Sequence, residues 1–294
     1  MSDNSPPSLE IISAALADIV ATTFPSVVGI QSHRALSSGF AWRPDLIVTA
    51  DEALAEEGEV AVVLAGGDSR PATILGRDPT TDIALLRVEG AALAAVPFTY
   101  PPIRAGALAL SVGASGGAAL SACGSVATVG PSWYSMRGGA IDLRIELDLR
   151  LRRQAEGGLV VDAAGRALGM AVLGPRRRTL MIPATTIERV AALLERHGRI
   201  PRGYLGLGLQ PVRVADEGAM GAMILSVAKD GPGATAGVCQ GDVIVTWDGQ
   251  PLPRVGALLR TLGPDSVGRS VALGLRRGGN PVDLTLTIGE RPPA

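Results

Sequence analysis

Short apolar runs, separated by glycine, proline and aspartate turns, occupy most of the chain between residues 25 and 186. Each run is only a few residues long, which suits a β-strand better than a helix. Many short strands with regular turn signals are typical of an all-β barrel or sandwich. We therefore predict strands at residues 26–30, 46–49, 60–64, 83–88, 108–112, 141–147 and 167–172.

Helical periodicity flanks this region on both sides. Apolar residues from Leu9 onwards recur at helical spacing, which predicts a helix with Ser8 as its N-cap that ends near Phe24. A second helix is predicted from Ile187 onwards, and Gly198 stops it after a basic last turn.

A second folding unit follows a short linker. Its strand-like runs lie at residues 223–227, 242–247 and 271–276, and apolar residues from Val255 to Leu262 predict a helix between the last two. We divide the chain into an N-terminal helical segment (1–24), a β domain (25–198), a linker (199–202) and a second domain (203–290).

Charge and hydropathy exclude several classes of function. The net charge is -1 and the pI about 6.2, so no overall field would draw nucleic acid or an anionic membrane. The polar N-terminus lacks the basic and apolar regions of a signal peptide, and no run of about 18 apolar residues is uninterrupted. We therefore expect no membrane span and a cytoplasmic protein, or a periplasmic one if a leader has been removed.

The cysteines and histidines are too few and too dispersed for a zinc site. Cys123 and Cys239 stand one in each half of the chain, so we expect two buried free thiols. His33 and His197 are expected to be a loop residue and a cation at a helix C-terminus. No metal and no cofactor are expected.

Several stretches in collinear order resemble one protein family. They are Ser38-Gly39-Phe40, Leu46-Ile47-Val48-Thr49-Ala50, Gly76-Arg77-Asp78-Pro79-Thr80-Thr81-Asp82, Glu156-Gly157-Gly158 and Arg202-Gly203-Tyr204-Leu205-Gly206. They resemble the HtrA (DegP/DegS-like) proteases, which couple a chymotrypsin-like double β-barrel to C-terminal PDZ domains. The resemblance implies a mostly β fold, a double β-barrel followed by an α+β PDZ domain, over roughly residues 20–290.

The resemblance also places the three catalytic positions of a serine protease. Glu52 stands where the family has its general-base histidine, Asp82 matches the aspartate, and Glu156 stands at the nucleophilic serine. Acyl transfer needs a hydroxyl within reach of an imidazole, and neither group is present. Gln154 replaces the glycine of the oxyanion hole, where a bulky residue would not hold the required backbone geometry. We therefore expect a pseudoprotease that is not an enzyme and has no catalytic residues.

Three carboxylates in one cleft leave other interpretations open. They cannot all stay ionised without help, so one would protonate, pair with arginine or bind a cation. Arg150, Arg152 and Arg153 are close in sequence and could neutralise them. The alternatives are a Ca²⁺ or Mg²⁺ site, a carboxylate-based hydrolase, and a family member with residual endopeptidase activity.

The PDZ-like unit is expected to bind peptides. In that fold one loop cradles the C-terminal carboxylate of a peptide, which adds as a strand to the sheet edge. The positions that match this loop are Tyr204, Leu205, Gly206 and Leu207. The helix that faces the groove would contribute Val255, Leu258 and Leu259. We predict binding of exposed hydrophobic C-termini of peptides or proteins, as an adaptor, a chaperone-like holder or a regulator, unless these leucines are ordinary core and the groove is covered.

Self-association is a further expectation from the resemblance. Members of this family commonly form trimers through the N-terminal part of the barrel. The chain has only three Phe, three Trp and three Tyr, so an aromatic-rich contact is not expected, although the helix after Ser8 could replace it. A homo-oligomer, with a trimer implied by the family, is therefore predicted.

Overall fold

The computed structural model describes residues 9–33, 35–56, 58–214, 220–252 and 254–292, so the predicted N-cap Ser8 lies outside the described residues. The chain divides into two compact units, Met1–Arg199 and Ile200–Ala294. The first holds both barrels, and the second holds a separate sheet with two short helices.

Six strands of the first unit close into one barrel. They are β1 (Val27–Ser32), β2 (Ala35–Arg43), β3 (Leu46–Thr49), β4 (Val60–Val63), β5 (Ser69–Asp78) and β6 (Ile83–Arg87). Neighbouring strands are antiparallel in the order β1-β2-β3-β6-β5-β4, and β4 pairs with β1 to close the barrel. Its interior is filled by branched side chains such as Val28, Ile30 and Ile47. Of the barrel or sandwich that the short apolar runs predict, the structure shows a barrel.

A second barrel follows. It comprises β7 (Leu108–Ser115), β8 (Ala118–Gly130), β11 (Arg144–Asp148), β12 (Leu159–Asp162), β13 (Ala167–Leu173) and β14 (Thr179–Pro183), in the order β11-β14-β13-β12-β7-β8. The strand predicted at 141–147 is wrong in one respect, because the structure splits it. Its first residue belongs to β10 (Ala140–Ile141), which pairs with β9 (Trp133–Tyr134) in a hairpin outside the barrel.

Helix α1 (Leu9–Thr23) leaves most of its apolar side chains exposed, with Leu9 84% and Ile11 62% accessible. Together with the turn that follows, Leu9–Ser26 is long and apolar enough to cross a membrane, by length and composition alone. A signal sequence near an N-terminus meets the same criterion. The expectation of no membrane span rested on the lack of an uninterrupted apolar run, and this candidate stretch was missed because it includes Glu10 and Asp18.

Helix α2 (Ala184–His197) packs against β5 and β6 of the first barrel and against β13 and β14 of the second. Gly198 ends it in the left-handed region, with φ 67°, which confirms the predicted stop. The end of α2 lies so close to β5 that a Cβ at Gly76 would collide with the carbonyl oxygen of Gly198. Glycine at position 76 therefore permits this packing.

Both cysteines are free, as predicted. Their predicted burial is wrong, since both are exposed. Cys123 lies on an outward-facing position of β8, and Cys239 lies in the loop before β18 (Val243–Trp247). Alternation along a strand decides which side chains face out, and a lone cysteine in an apolar context does not reveal it.

The second unit is built on a six-stranded sheet. Its elements are β15 (Gly203–Tyr204), β16 (Leu207–Arg213), β17 (Met220–Val227), α3 (Pro232–Thr235), β18 (Val243–Trp247), β19 (Gln250–Pro251), α4 (Val255–Thr261), β20 (Ser270–Arg277), β21 (Asn280–Thr287) and β22 (Gly289–Glu290). The order is β16-β17-β18-β20-β21, with β19 beside β18, and β15 pairs with β22. Strand β16 is thus an edge of the sheet, and α4 covers a core that includes Ile244 and Leu273.

Ser38 of β2 joins the two barrels. Its side chain is fully buried, and its hydroxyl accepts the Ala114 N–H at 2.9 Å and donates to the Gln154 carbonyl at 2.6 Å. The Ser38 N–H donates to the Glu156 carbonyl at 2.8 Å, and the Ser38 carbonyl accepts the Thr49 hydroxyl at 2.7 Å. This residue therefore holds the segment that carries Glu156 against the first barrel.

Replacing Ser38 by alanine should lower the free energy of unfolding by about 2 kcal/mol, because the buried Ala114 N–H and Gln154 carbonyl lose their partner. Urea denaturation measures the change. Ser121→Ala, on an exposed position of β8, is the matched control and should stay within about 0.5 kcal/mol of the parent. Equal stabilities for the two variants would contradict this account of Ser38.

Candidate functional site

A backbone hydrogen bond brings Glu52 and Asp82 together. Glu52 follows β3 and Asp82 precedes β6, and these two strands pair in the first barrel. The Asp82 Oδ1 accepts the Glu52 N–H at 2.7 Å. The aspartate therefore holds the backbone at the position where the resemblance expects a histidine.

Asp82 adopts φ 59°, a left-handed conformation that is uncommon outside glycine. The preceding turn supports it through the carboxylate of Asp78. The Oδ1 of Asp78 accepts the Thr80 N–H at 3.0 Å and the Thr80 hydroxyl at 2.6 Å, and Oδ2 accepts the Thr81 hydroxyl at 2.6 Å. The Asp-Pro-Thr-Thr run is thus a rigid turn that directs Asp82 toward the loop of Glu52.

Arg77 fixes the other side of this contact, the loop at residues 51–55. Its Nε donates to Oδ1 of the buried Asp51 at 2.5 Å, and its Nη2 donates to the Asp51 carbonyl at 3.0 Å. Its Nη1 donates to the Ala55 carbonyl at 3.0 Å. The backbone that presents Glu52 is therefore ordered by the protein itself.

Glu156 is buried, with 7% of the residue exposed. Its Oε1 accepts the Leu173 N–H, at the end of β13, at 3.1 Å. Burial raises the pKa of Glu156, the Leu173 N–H and the charge of Arg153 oppose the rise, and the negative charge of Glu52 adds to it. The side chain that the resemblance aligns with the nucleophile thus makes a structural contact.

The segment before Glu156 forms one turn of 3-10 helix, Arg153–Ala155. The Glu156 N–H donates to the Arg153 carbonyl at 3.1 Å, so this N–H is bonded within its own loop. Gln154 is exposed and has no positive φ. An oxyanion hole needs N–H groups aimed at the developing charge, and here the Arg153 carbonyl occupies the Glu156 N–H.

The charges of the three carboxylates influence one another's pKa. Burial, first of all, raises the pKa of Asp82 from 3.8 to about 7; the Glu52 N–H opposes the rise, and the charges of Glu52, Glu156 and Asp51 add to it. Glu52, half exposed, forms an ion pair with Arg137 at 3.4 Å. These positions therefore lie close enough to share one electrostatic environment.

The arginines expected to neutralise the cluster do so only in part. Arg153 acts on Glu156, whereas Arg150 and Arg152 form no ion pair with these carboxylates in the described part of the chain. No group of three or more acidic, histidine or cysteine side chains among the described residues could hold a metal ion. The alternative of a cation site made by the three carboxylates is therefore not supported.

A cleft of about 680 Å³ opens beside Glu52 and Glu156. Arg153, Gln154 and Leu36 of β2 also line it. The cleft combines acidic, basic and apolar groups, so it has no single chemical character.

The second unit has a groove of about 380 Å³ at the edge strand β16. It is lined by five predicted residues, Tyr204, Leu205, Gly206, Leu207 and Leu259. Other residues that line it include Arg202, Leu209 and Leu262. The Leu205 carbonyl accepts the Gly233 N–H at 2.8 Å, and the Gly206 carbonyl accepts the Ala228 N–H at 2.7 Å. In a trans peptide the N–H points opposite to the carbonyl, so the Gly206 and Leu207 N–H groups point away from those donors.

Two predicted groove residues lie elsewhere. Leu258 is 1% exposed and belongs to the core of the unit, and Val255 packs against that core without lining the groove. Leu259, the third residue predicted from this helix, does line the groove, together with Leu262 just after α4. Leu205 lines the groove but its side chain is only 4% exposed, so it is also a core residue.

Comparison with known proteins identifies the family. The pattern of the trypsin-like peptidase domain matches residues 37–170, and that of the PDZ domain matches residues 203–288. A probable periplasmic serine endoprotease DegP-like of Bartonella henselae is 31% identical over 293 residues, which covers 91% of this chain and 57% of the relative. A relative with the same description from Brucella suis biovar 1 is 28% identical over 287 residues, with 90% and 54% covered. The chain belongs to the HtrA family.

Solved structures of HtrA proteins share the fold. The HtrA-type protease AlgW with decapeptide gives a TM-score of 0.72 at 22% identity, covering 95% of this chain and 99% of that one. The serine endoprotease from Yersinia pestis gives 0.73 at 23% identity, covering 98% and 100%. The predicted double β-barrel with a PDZ domain is therefore confirmed. The chain spans little more than half the length of the curated HtrA relatives it matches.

The expected cytoplasmic location is not supported. The curated HtrA relatives are named periplasmic, and Leu9–Ser26 has the length and composition of a signal sequence or a membrane span. The earlier expectation relied on the polar residues that precede this stretch.

Sequence patterns did not reveal two partners of the HtrA triad positions. Arg137 reaches Glu52 from the β9–β10 hairpin, which is held in place by a 2.5 Å hydrogen bond from the Ser135 hydroxyl to the Thr80 carbonyl. The Leu173 N–H reaches Glu156 from the end of β13. Both contacts join segments distant in the chain, and no local spacing signals them.

The raised pKa of Asp82 predicts a pH dependence of stability. Above pH 3.8 the unfolded chain loses a proton that folded Asp82 keeps up to about pH 7, so stability falls as pH rises through this window. Asp82→Asn removes the penalty and keeps an oxygen for the Glu52 N–H. It should raise the free energy of unfolding at about pH 8 by on the order of 1 kcal/mol, after allowance for solvent screening.

Urea denaturation at about pH 4.5 and about pH 8 measures this effect, with the gain from Asp82→Asn growing between the two. Asp68→Asn, at a side chain 59% exposed, is the control and should show no such growth. Parallel pH profiles for the parent and Asp82→Asn would show that Asp82 ionises normally in the folded protein.

Proposed function

We propose that this chain binds C-terminal segments of other polypeptides in its PDZ groove and does not cleave them. The observation that carries the proposal is the buried Glu156 at the nucleophile position, beside an N–H already bonded to the Arg153 carbonyl. The protein then acts as an adaptor, a chaperone-like holder or a regulator.

The chemistry of the degenerate positions supports a noncatalytic role. Serine-type acyl transfer needs a nucleophilic hydroxyl activated by a base, and Glu156 has no hydroxyl to activate. Its carboxylate is also engaged by the Leu173 N–H, and Glu52 pairs with Arg137. Asp82 bonds the backbone of Glu52 and has no imidazole to orient. All three positions therefore have structural partners in place of catalytic ones.

The groove supports peptide binding by strand addition. Strand β16 is a sheet edge, and an extended peptide can pair with the unused side of such a strand. The Gly206 and Leu207 N–H groups, directed away from the interior bonds, can receive a terminal carboxylate, and Arg202 adds positive charge nearby. Leu259, 55% exposed, offers an apolar wall for the last side chain of the peptide.

The solved relatives support this ligand class. AlgW has been solved with a decapeptide and with a tripeptide, and this chain shares its fold. The curated relatives are named endoproteases, so residual cleavage is the alternative. We further propose a periplasmic location, on the names of the relatives and the apolar stretch Leu9–Ser26. The trimer implied by the family stays a prediction.

Peptide binding is tested by fluorescence anisotropy with a labelled peptide that has an apolar last residue and a free carboxylate. Leu259→Glu should raise the Kd at least tenfold, about 1.4 kcal/mol, because it places a negative charge in the apolar wall of the groove. Leu225→Glu is the matched control, since Leu225 is 48% exposed on β17 and does not line the groove; its Kd should change less than about twofold. Equal effects of the two variants on the Kd, or equal affinity for the amidated peptide, would refute the binding of peptide C-termini in the groove.

The loss of catalysis is tested by restoring the family residues. The parent chain should release no fragments from unfolded casein above the buffer rate. The double variant Glu52→His/Glu156→Ser should remain at least about 100-fold below the triple variant that adds Gln154→Gly, because one missing oxyanion donor costs about that much. Hydrolysis by the parent that Glu156→Gln abolishes would overturn the noncatalytic assignment.

A further inference from the structure

Two loops at one end of the second barrel carry a dense group of arginines. The first loop covers residues 149–154 and the second covers residues 174–178, and neither contains an acidic residue. We call their arginines the arginine patch: Arg150, Arg152, Arg153, Arg176, Arg177 and Arg178. All six are exposed.

The two loops are tied to each other at both ends. At one end Leu147 of β11 pairs with Thr179 of β14, and the Thr179 hydroxyl donates to the Leu149 carbonyl at 3.0 Å. At the other end the Leu173 N–H donates to the Glu156 carboxylate at 3.1 Å. The loops therefore run side by side, and their arginines share one surface.

Most of this charge is not compensated. Arg178 pairs with Glu146 at 3.1 Å, and Arg153 acts on the buried Glu156. No ion pair is formed, in the described part of the chain, by Arg150 and Arg152 on the first loop. The same is true of Arg176 and Arg177 on the second loop. The whole chain has 27 basic and 28 acidic residues, so the patch is a local excess and not a consequence of overall basicity.

The second loop holds its arginines in an unusual backbone conformation. Arg176 has φ 58° and ψ 28°, and Arg177 also has φ 58°. Glycine adopts this left-handed region without strain, whereas other residues do so at a cost. Arginine at both positions thus places two guanidinium groups at the tip of the loop, although glycine would adopt this backbone conformation with less strain.

We propose that the arginine patch docks an acidic segment of a partner polypeptide. Guanidinium groups bind carboxylates through paired, charge-assisted hydrogen bonds, and neighbouring arginines suit a run of Asp and Glu. A polypeptide is the ligand because Arg153 belongs both to the patch and to the wall of the cleft. A chain bound in the cleft beside Arg153 would reach the remaining arginines by continuing along the same loop. The inference does not depend on the PDZ groove.

The test uses the full chain and a fluorescein-labelled octaglutamate with an amidated C-terminus, which lacks the free carboxylate that the groove would take. Binding is followed by anisotropy at about 50 mM and about 300 mM salt, and octaglutamine is the neutral comparison. The parent should bind octaglutamate, more weakly at the higher salt, and should not bind octaglutamine. Arg150→Gln/Arg152→Gln and Arg176→Asn/Arg177→Asn should each raise the Kd at least about fivefold.

Asparagine is used at 176 and 177 because it tolerates a positive φ. Arg104→Gln/Arg196→Gln removes the same charge from two exposed positions elsewhere in the first unit and should change the Kd less than about twofold. Melting temperatures establish that the variants fold, and each pair tests the patch independently of the other.

An equal loss in the Arg104/Arg196 control would overturn the proposal, since the effect would then reflect net charge. Absence of octaglutamate binding by the parent would do the same. An oligonucleotide with eight phosphates, or phosphatidylglycerol vesicles, that displaced octaglutamate at lower concentration than an unlabelled copy of the peptide would assign the patch to another class of partner.

Discussion

The partly buried hydrogen bond from the Leu173 N–H to the carboxylate of Glu156 is the contact on which the architecture around the cleft depends. It ties the segment after the first arginine-bearing loop to the end of β13, while Ser38 holds the same segment against the first barrel. A buried carboxylate is costly unless its oxygens are bonded, and here the bond also sets the spacing of two loops. Glu156, which the resemblance aligns with the nucleophile, thus holds two segments of the second barrel together.

The other two positions that the resemblance assigns to a triad also make contacts that differ from those of a working triad. In a working triad the aspartate orients an imidazole. Here Asp82 receives a backbone N–H, and its pKa is raised to about 7 mainly by burial. Glu52 turns outward to Arg137. The polar groups at these three positions bond to the protein itself, and this supports the proposal of a noncatalytic cleft.

Much of the fold could be predicted from the sequence, because short apolar runs between turn residues leave few alternatives to a barrel. The family resemblance placed Glu52, Asp82 and Glu156 in one cleft, and their charges do act on one another. Which of the predicted α4 residues meet the groove could not be told apart, since the adjacent Leu258 and Leu259 are equally apolar and only Leu259 lines it while Leu258 enters the core. The contact of Arg137 with Glu52 could not be predicted either, because it depends on how a hairpin folds over a distant turn.

The central claim is that this HtrA-family chain holds a polypeptide without cutting it. The most direct measurement is mass spectrometry of a peptide recovered from its purified complex with the parent chain after prolonged incubation. The account predicts that a peptide with a free apolar C-terminus co-elutes with the protein and is recovered at its full mass. Recovery of truncated peptide, or of a covalent adduct on the protein, would contradict it.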